Sequence, residues 1–182
     1  REGCVVSSPE FVHLHVHTEY SMVDSTIRIP TLMKACAENG MPAIALTDQN
    51  NLFGLVKFYR KAVAAGLKPI IGLDLRILNE DEPDRPYTML LLVQDNDGYR
   101  NLSELVTRSY IEGQVRGEPM ARREWLTAER WEGVCALCGG VHGDIGHACL
   151  AHPGVEARER LGGWRGGVPG GVFVAVGRGG RR

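Results

Sequence analysis

Apolar residues alternate with histidines near the start of the chain, from Val12 to His17. Successive side chains of a β-strand point to opposite faces, so this pattern predicts a strand with His13, His15 and His17 on one face. The polar stretch Thr18–Ser21 follows at once. Because α/β folds carry their chemistry at the C-terminal ends of strands, and imidazole is a common metal ligand, His15 and His17 are predicted to form the first half of a metal site.

Helical and extended patterns then alternate along the chain. The predicted elements are a helix near 30–39, a strand at 43–47, a helix near 52–65, a strand at 69–75, a loop at 79–86, a strand at 88–93, a turn at 95–98, a helix at 99–110 and strands at 134–138 and 172–176. Pro30 suits a first helical turn and Gly40 suits the position after a helix end. Strands that alternate with helices predict an α/β fold with a parallel sheet or barrel.

Composition narrows the classes of function. The 182 residues suit one domain or a large piece of one, and the net charge of −1 gives no bulk attraction to nucleic acid or to a membrane surface. No apolar run approaches the ~20 residues of a membrane span. Five cysteines in a chain without an export signal predict reduced thiols and a cytoplasmic location. Fourteen of the 23 glycines lie in residues 139–182, which predicts an irregular Gly-rich C-terminal end.

Several blocks of sequence, in the same order and spacing, resemble a known family. The blocks are His13–Ser21, Ala45–Gly54, Lys57–Tyr59, Gly66–Gly72 and Gly98–Leu102. Together they are similar to the N-terminal polymerase-and-histidinol-phosphatase (PHP) domain of bacterial DNA polymerase III alpha subunits, over about Phe11 to Gly146. The resemblance implies a distorted (β/α) barrel of parallel strands. It divides the chain into an N-terminal segment at 1–10, a partial PHP domain at 11–150 and a Gly/Arg-rich diverged or truncated end at 151–182.

The resemblance also implies a set of metal ligands at the ends of several strands. His15 and His17 fall on the first ligand pair of the family. Asp24 lies in the following loop, where the family places another ligand, although a helix or turn cap is an equal alternative there. Asp74 falls where active members often carry a bridging glutamate. His13 is expected to be buried or to lie behind the ligands.

Other positions of the family pattern lack a ligand. Gln49 follows Thr47-Asp48 where active relatives have Thr-Asp-His, and an uncharged amide is a poor ligand for zinc or manganese. Thr88 stands where several relatives have histidine. In the stretch Cys138–Gly140, glycine stands where some relatives have a metal ligand. The final Asp-x-His strand motif of the family is not found up to Arg182. We therefore expect a degenerate site that weakly holds a divalent Zn, Mn or Mg ion, with no catalytic residues.

The resemblance implies a replicative polymerase as the parent protein. The expected role of this domain is structural, with a docking place for the proofreading exonuclease subunit. Contacts with the sliding clamp and DNA would be made through the full-length protein, whose magnesium-dependent polymerase site is not in this chain. No membrane association and no strong direct DNA binding are expected. Lys57, Lys61 and Lys68 suit solvated positions as well as a basic DNA-binding face.

Two alternatives remain open at this point. One is a stand-alone PHP phosphoesterase resembling histidinol phosphatase, against which the replicase-like blocks and Gln49 argue. The other is a small zinc module, formed from Cys135, Cys138, His142, His147, Cys149 and His152. The Cys-x-x-Cys spacing suits zinc, but the pair lies on the predicted strand 134–138, where small core residues are the simpler interpretation.

Overall fold

Strands and helices both occur along the chain, mostly in the order that the hydrophobic pattern predicts. The structure, a computed structural model, describes residues 11–22, 24–127, 131–151, 155–165 and 172–174. Its helices are α1 (Ile29–Glu38), α2 (Leu55–Ala64), α3 (Asn96–Glu112), α4 (Asp144–Ala151) and α5 (Val155–Arg165). Its strands are β1 (Ala43–Leu46), β2 (Lys68–Ile77), β3 (Tyr87–Val93), β4 (Gln114–Val115), β5 (Glu118–Pro119), β6 (Val134–Cys138) and β7 (Val172–Val174). Short 3₁₀ turns lie at Arg123–Trp125 and Gly140–His142.

The main sheet is mixed rather than parallel. Its strand order is β1-β2-β3-β6-β7, and β4 and β5 form a separate hairpin. The outer pairs β1–β2 and β6–β7 are parallel, whereas β2–β3 and β3–β6 are antiparallel. The prediction of parallel strands is therefore confirmed for the two outer pairs and wrong for the two pairs that β3 forms. The connection at 78–86 has no helix, and a parallel crossover needs about a dozen residues or more, so β3 returns beside β2 in the opposite direction.

The histidine segment runs beside β1 but is not a regular strand, so the predicted strand from Val12 to His17 is wrong in that respect. The backbone N–H of Ala45 donates to the carbonyl of His13, and that of Thr47 to the carbonyl of Val16, each at 3.0 Å. The N–H of Val16, however, donates to the side-chain Oγ1 of Thr47 at 2.7 Å. A side-chain hydroxyl thus replaces a backbone acceptor and interrupts the ladder.

Helix α3 begins earlier than the apolar pattern indicates. The polar residues 95–98 are predicted as a turn, but the carboxylate of Asp95 accepts hydrogen bonds from the backbone N–H groups of Asp97 and Gly98. This N-cap converts the expected turn into the first turn of the helix. Glycine at position 98 is also required by packing, because a Cβ there would lie 1.9 Å from the carbonyl oxygen of Gly133.

Two hydrophobic clusters stabilise the domain. The larger cluster lies between the central strands and α3 and includes Leu73, Leu75, Met89, Leu91, Leu102, Leu105, Trp125, Trp131 and Trp164. The smaller cluster joins β1 to α1 and α2 and consists of Ile29, Met33, Cys36, Ile44, Leu46, Phe58, Ala62 and Leu67. The smaller cluster holds β1 in place, and β1 in turn carries the histidine segment.

The C-terminal part is more regular than its glycine content predicts. Helix α5 includes Gly162 and Gly163, and β7 lies at the edge of the sheet beside β6. The indole Nε1–H of Trp164 donates to the buried carboxylate of Asp144 at 2.6 Å, which ties α5 to α4. The expected irregular end is thus corrected for residues 155–165. The predicted segment 1–10 and the end of the predicted strand at 175–176 lie outside the described residues. No described helix has the length and apolar character needed to cross a bilayer.

We predict that Phe58→Ala lowers the free energy of unfolding by about 3–5 kcal/mol, because the fully buried ring leaves a cavity in the smaller cluster. Urea denaturation measures this change. Val56→Ala on the same helix is the control, since the Val56 side chain is 69% exposed and its removal leaves stability nearly unchanged. Equal losses for the two variants would contradict the described packing of α2.

Candidate metal centre

Three side-chain atoms converge where the histidine segment passes β2. The Nε2 atom of His15 lies 3.2 Å from Nε2 of His17 and 3.3 Å from Oδ2 of Asp74. The Nε2 atom of His17 lies 3.1 Å from the same carboxylate oxygen. Over the described ranges, this is the one group of three or more potential ligands whose atoms all lie within 4.8 Å of one another. Two imidazoles and one carboxylate form a donor set that suits a divalent transition metal.

The centre is closed on the sheet side and open toward solvent. The side chain of Asp74 is 7% exposed and that of His17 is 14% exposed, whereas that of His15 is 56% exposed. A groove of about 550 Å³ runs beside His15 and His17, and Asp24 and Ile27 also line it. A small ligand or a water molecule therefore has access from the His15 side.

Hydrogen bonds between these groups favour their charged forms. Burial by itself lowers the pKa of His17, but its hydrogen bonds with Asp74 and Asp24 outweigh this and raise the pKa above its usual value. Burial likewise acts to raise the pKa of Asp74, while hydrogen bonds from His15 and His17 lower it. A metal ion and a proton therefore compete for Nε2 of His17, because only the unprotonated nitrogen is a ligand.

Asp24 lies behind His17 rather than among the three converging atoms. The Nδ1–H of His17 donates a hydrogen bond to Oδ2 of Asp24, which leaves Nε2 directed toward Asp74. Ligating histidines commonly use the second ring nitrogen in this way, because the hydrogen bond fixes the ring and its tautomer. The side chain of Asp24 is about half exposed. The geometry thus favours an orienting role for this carboxylate.

His13 stands apart from the centre. Its side chain is exposed, and its ring packs edge-on against Phe11 with a centroid distance of 4.7 Å. His13 is therefore neither buried nor placed behind the ligands, contrary to the prediction, because the segment that precedes the site lies at the surface beside β1. The alternation of histidines predicts the direction of their side chains, but not how deeply each one is buried.

A buried carboxylate that the sequence analysis did not single out fixes the turn after His17. Asp48 accepts hydrogen bonds from the backbone N–H of Thr18 at 2.6 Å, from Oγ1 of Thr18 at 2.8 Å and from Oγ of Ser21 at 2.7 Å. The residue is 1% exposed. Because Thr18 follows His17 directly, these bonds set the direction in which the second histidine leaves the backbone. The sequence signal is the acidic residue at the end of the buried strand β1.

Comparison with known proteins places the chain in a family. The PHP domain matches residues 13–177, which is most of the chain. The chain belongs to the PHP domain family. The converging histidines and Asp74 lie within the matched residues.

The relatives of this PHP domain include replicative polymerases. It is 46% identical over 169 residues to the DNA polymerase III subunit alpha of Pseudomonas fluorescens, covering 92% of this chain and 14% of that protein. It is 42% identical over 145 residues to the subunit of Escherichia coli K12, covering 80% of this chain and 12% of that protein. The domain is thus homologous to the N-terminal region of these subunits and spans about one seventh of their length or less.

A more distant likeness is to a crystal structure from Bifidobacterium adolescentis, assigned to a metal-dependent phosphoesterase. It is 20% identical, with a TM-score of 0.45, and covers 56% of this chain and 34% of that one. This likeness is too slight to carry an argument about activity. The polymerase relatives therefore support the replicase interpretation over the stand-alone phosphoesterase.

Gln49, which replaces the expected imidazole of the PHP pattern, binds another side chain. Its Oε1 accepts a hydrogen bond from a guanidinium nitrogen of Arg76 at 3.2 Å, and Arg76 also forms an ion pair with Glu118. The backbone N–H of Arg76 donates to the side chain of Asn50 at 2.8 Å. Residues 49 and 76 thus join the end of β1 to β2 and the β4–β5 hairpin. Arg76 lies two residues after Asp74 on β2 and is not among the site residues predicted from the sequence.

Two further positions of the PHP pattern are constrained by packing. Thr88 lies on β3 opposite Arg76, and Gly139 packs directly against it. A Cβ atom at position 139 would lie 2.3 Å from both the carbonyl oxygen and Oγ1 of Thr88. A ligand side chain at residue 139 therefore cannot be accommodated without moving β3.

The cysteine and histidine cluster does not form a second centre in the described residues. Cys138 is buried on β6 while Cys135 is half-buried, and the alternation along the strand places the two on opposite faces. The ring of His147 packs against Tyr87 with a centroid distance of 6.0 Å. His152 lies outside the described residues. The structure thus gives the zinc-module alternative no support.

We predict that Asp48→Asn lowers the free energy of unfolding by about 2–4 kcal/mol. An amide can accept fewer hydrogen bonds than a carboxylate, so at least one of the buried donors of Thr18 and Ser21 loses its partner. Urea denaturation measures the change, with Asp84→Asn as the control because Asp84 lies at the surface in an exposed ion pair with Arg116. An Asp48→Asn variant as stable as the control would show that the turn does not depend on this carboxylate.

Proposed function

We propose that this chain is the PHP domain of a DNA polymerase III alpha subunit, in which it has a structural and docking role. We further propose that its centre binds one divalent cation and does not assemble the two- or three-metal arrangement needed for phosphodiester hydrolysis. The observation that carries the proposal is the convergence of His15, His17 and Asp74 beside a glutamine that is bound to Arg76.

The three ligand atoms fit a single ion. Zinc bonds to nitrogen and oxygen at about 2.0–2.2 Å, and two ligands of a tetrahedral ion are therefore about 3.3 Å apart. The three separations in the structure lie between 3.1 and 3.3 Å. His15, His17 and Asp74 would hold the ion, and zinc or manganese suits this set better than magnesium, which prefers oxygen ligands. When bound, such an ion acts as a Lewis acid and lowers the pKa of a bound water.

The remaining polar groups position the site instead of extending it. Asp24 orients the ring of His17, and Asp48 holds the turn that follows. Gln49 contributes no charge, and its oxygen is already bonded to Arg76. Since a two-metal hydrolytic centre needs bridging and terminal ligands around both ions, the described residues support one ion at most.

The wider roles follow from homology and belong to the same proposal. The parent protein would be a replicative polymerase in the cytoplasm, with a magnesium-dependent active site outside this chain. This domain would take part in docking the proofreading exonuclease subunit, and it would reach the sliding clamp and DNA only through the rest of the polymerase. The described open sheet would form part of the distorted PHP barrel.

We predict that the chelator-treated domain binds close to one equivalent of Zn²⁺ or Mn²⁺ in isothermal titration calorimetry. His17→Ala should weaken this binding by about 100-fold or more, because it removes a ligand and not only an orienting partner. His13→Ala is the matched control, since its exposed ring lies beside the groove without contacting the three ligands, and it should leave the affinity unchanged. Equal binding by both variants would rule out the proposed ligand set.

We also predict that the metal-supplemented domain does not hydrolyse bis(p-nitrophenyl) phosphate above the background of a His15→Ala variant. Release of p-nitrophenolate, followed by absorbance, measures this activity. Metal-dependent hydrolysis that disappears in His15→Ala would contradict the degenerate centre and would favour an active phosphoesterase.

A further inference from the structure

Helix α2 exposes an apolar stripe that no described element covers. Val56, Tyr59 and Val63 are 69%, 50% and 55% exposed. Their spacing of three and four residues places them on one face of the helix, beside the face that buries Phe58 and Ala62. Single exposed apolar side chains are common at protein surfaces, whereas a continuous stripe beside a groove is typical of an interaction site.

The stripe borders a groove of about 660 Å³, which we call the α2 groove. Val56 and Tyr59 form one wall, and Tyr99 at the start of α3 forms the other. The floor is Lys68–Ile71 of β2, where Ile70 and Ile71 are only half-buried. This part of β2 pairs with β1, while β3 pairs with β2 only over Gly72–Ile77. The groove thus lies where β2 and β3 diverge.

Two of the three charged residues that line the α2 groove, Arg60 and Lys68, are positive. Helix α2 carries Lys57, Arg60 and Lys61 and has no acidic residue, although the whole chain has a net charge of −1. Lys57 forms an ion pair with Glu19 at 2.7 Å, but Arg60 and Lys68, which line the groove, form none with a described carboxylate. The acidic residue of the lining is Asp95, whose carboxylate caps α3.

We propose that the α2 groove binds an amphipathic helix of a partner protein, with its apolar side chains in the groove and carboxylates facing Arg60 and Lys68. A helix satisfies its own backbone hydrogen bonds and can lie on an apolar floor through side chains spaced by three and four residues. An added β-strand fits less well, because Pro69 in the floor has no N–H to offer it. Charge complementarity with the two unpaired cations selects acidic flanks over basic ones. This proposal is independent of metal binding at the histidines.

Fluorescence anisotropy with two labelled peptides tests the proposal. Both peptides are 16-residue helix formers with leucines spaced by three and four residues. One carries glutamates beside the leucines, and the other carries lysines at the same positions. We expect the domain to bind the glutamate peptide at least about tenfold more tightly than the lysine peptide, with a preference that weakens as salt is added.

Two variants locate the binding site. Tyr59→Ser removes the aromatic ring from one wall of the groove and should weaken binding of the glutamate peptide about tenfold. The double variant Arg60→Glu/Lys68→Glu should reverse the preference so that the lysine peptide binds better. These side chains are exposed, so the fold is expected to persist, and circular dichroism checks this. Lys34→Glu on α1, where the side chain is 77% exposed, is the charge control and should change neither affinity.

Reversal of the preference in the double variant, with no effect of Lys34→Glu, supports a site in the α2 groove. The proposal is overturned if neither peptide binds at concentrations up to about 1 mM, or if both bind equally. It is also overturned if the double variant retains the preference for the glutamate peptide.

Discussion

The candidate centre depends on one buried carboxylate, that of Asp48. Three donors from the turn after the histidine segment point to it, and their partner sits at the end of a strand held by a hydrophobic cluster. A buried carboxylate is stable only when such donors surround it, so the turn and the strand end stabilise one another. His17 is the residue immediately before this turn. Its approach to Asp74 is therefore a consequence of packing around β1, and it does not require a metal to hold it.

Under the proposal of a single-ion centre, the same arrangement allows half of a PHP centre to persist. His15, His17 and Asp74 lie on segments whose positions are set by β1 and β2, which are needed for the fold in any case. The residues at the positions without a ligand make other contacts. Gln49 binds Arg76 and so links three elements, while Gly139 allows β6 to approach β3 closely. These contacts support the proposal that the domain has a structural role and does not hydrolyse phosphodiesters.

Sequence patterns predicted the positions of helices and strands well, but they predicted poorly how the strands pair. The positions of α1 and α2 follow from helical signals in the sequence, because each helix buries one face. The positions of β1 and β3 follow from short apolar runs, because both strands are largely buried. The direction of β3 depends on loop length, and the irregular histidine segment depends on a single hydroxyl of Thr47. At the site, the alternation of histidines with apolar residues correctly predicted that His15 and His17 lie close together. The roles of Asp48 and Arg76 could not be predicted, because they arise from contacts between residues distant in sequence.

Crystals of the domain soaked in Zn²⁺, with diffraction data collected at the zinc absorption edge, distinguish a single-ion centre from a multinuclear one. We expect one anomalous peak at the centre, within bonding distance of His15 Nε2, His17 Nε2 and Asp74 Oδ2. Two or three peaks around these side chains, with Gln49 turned away from Arg76 toward one of them, would show that a multinuclear centre survives and would contradict the account.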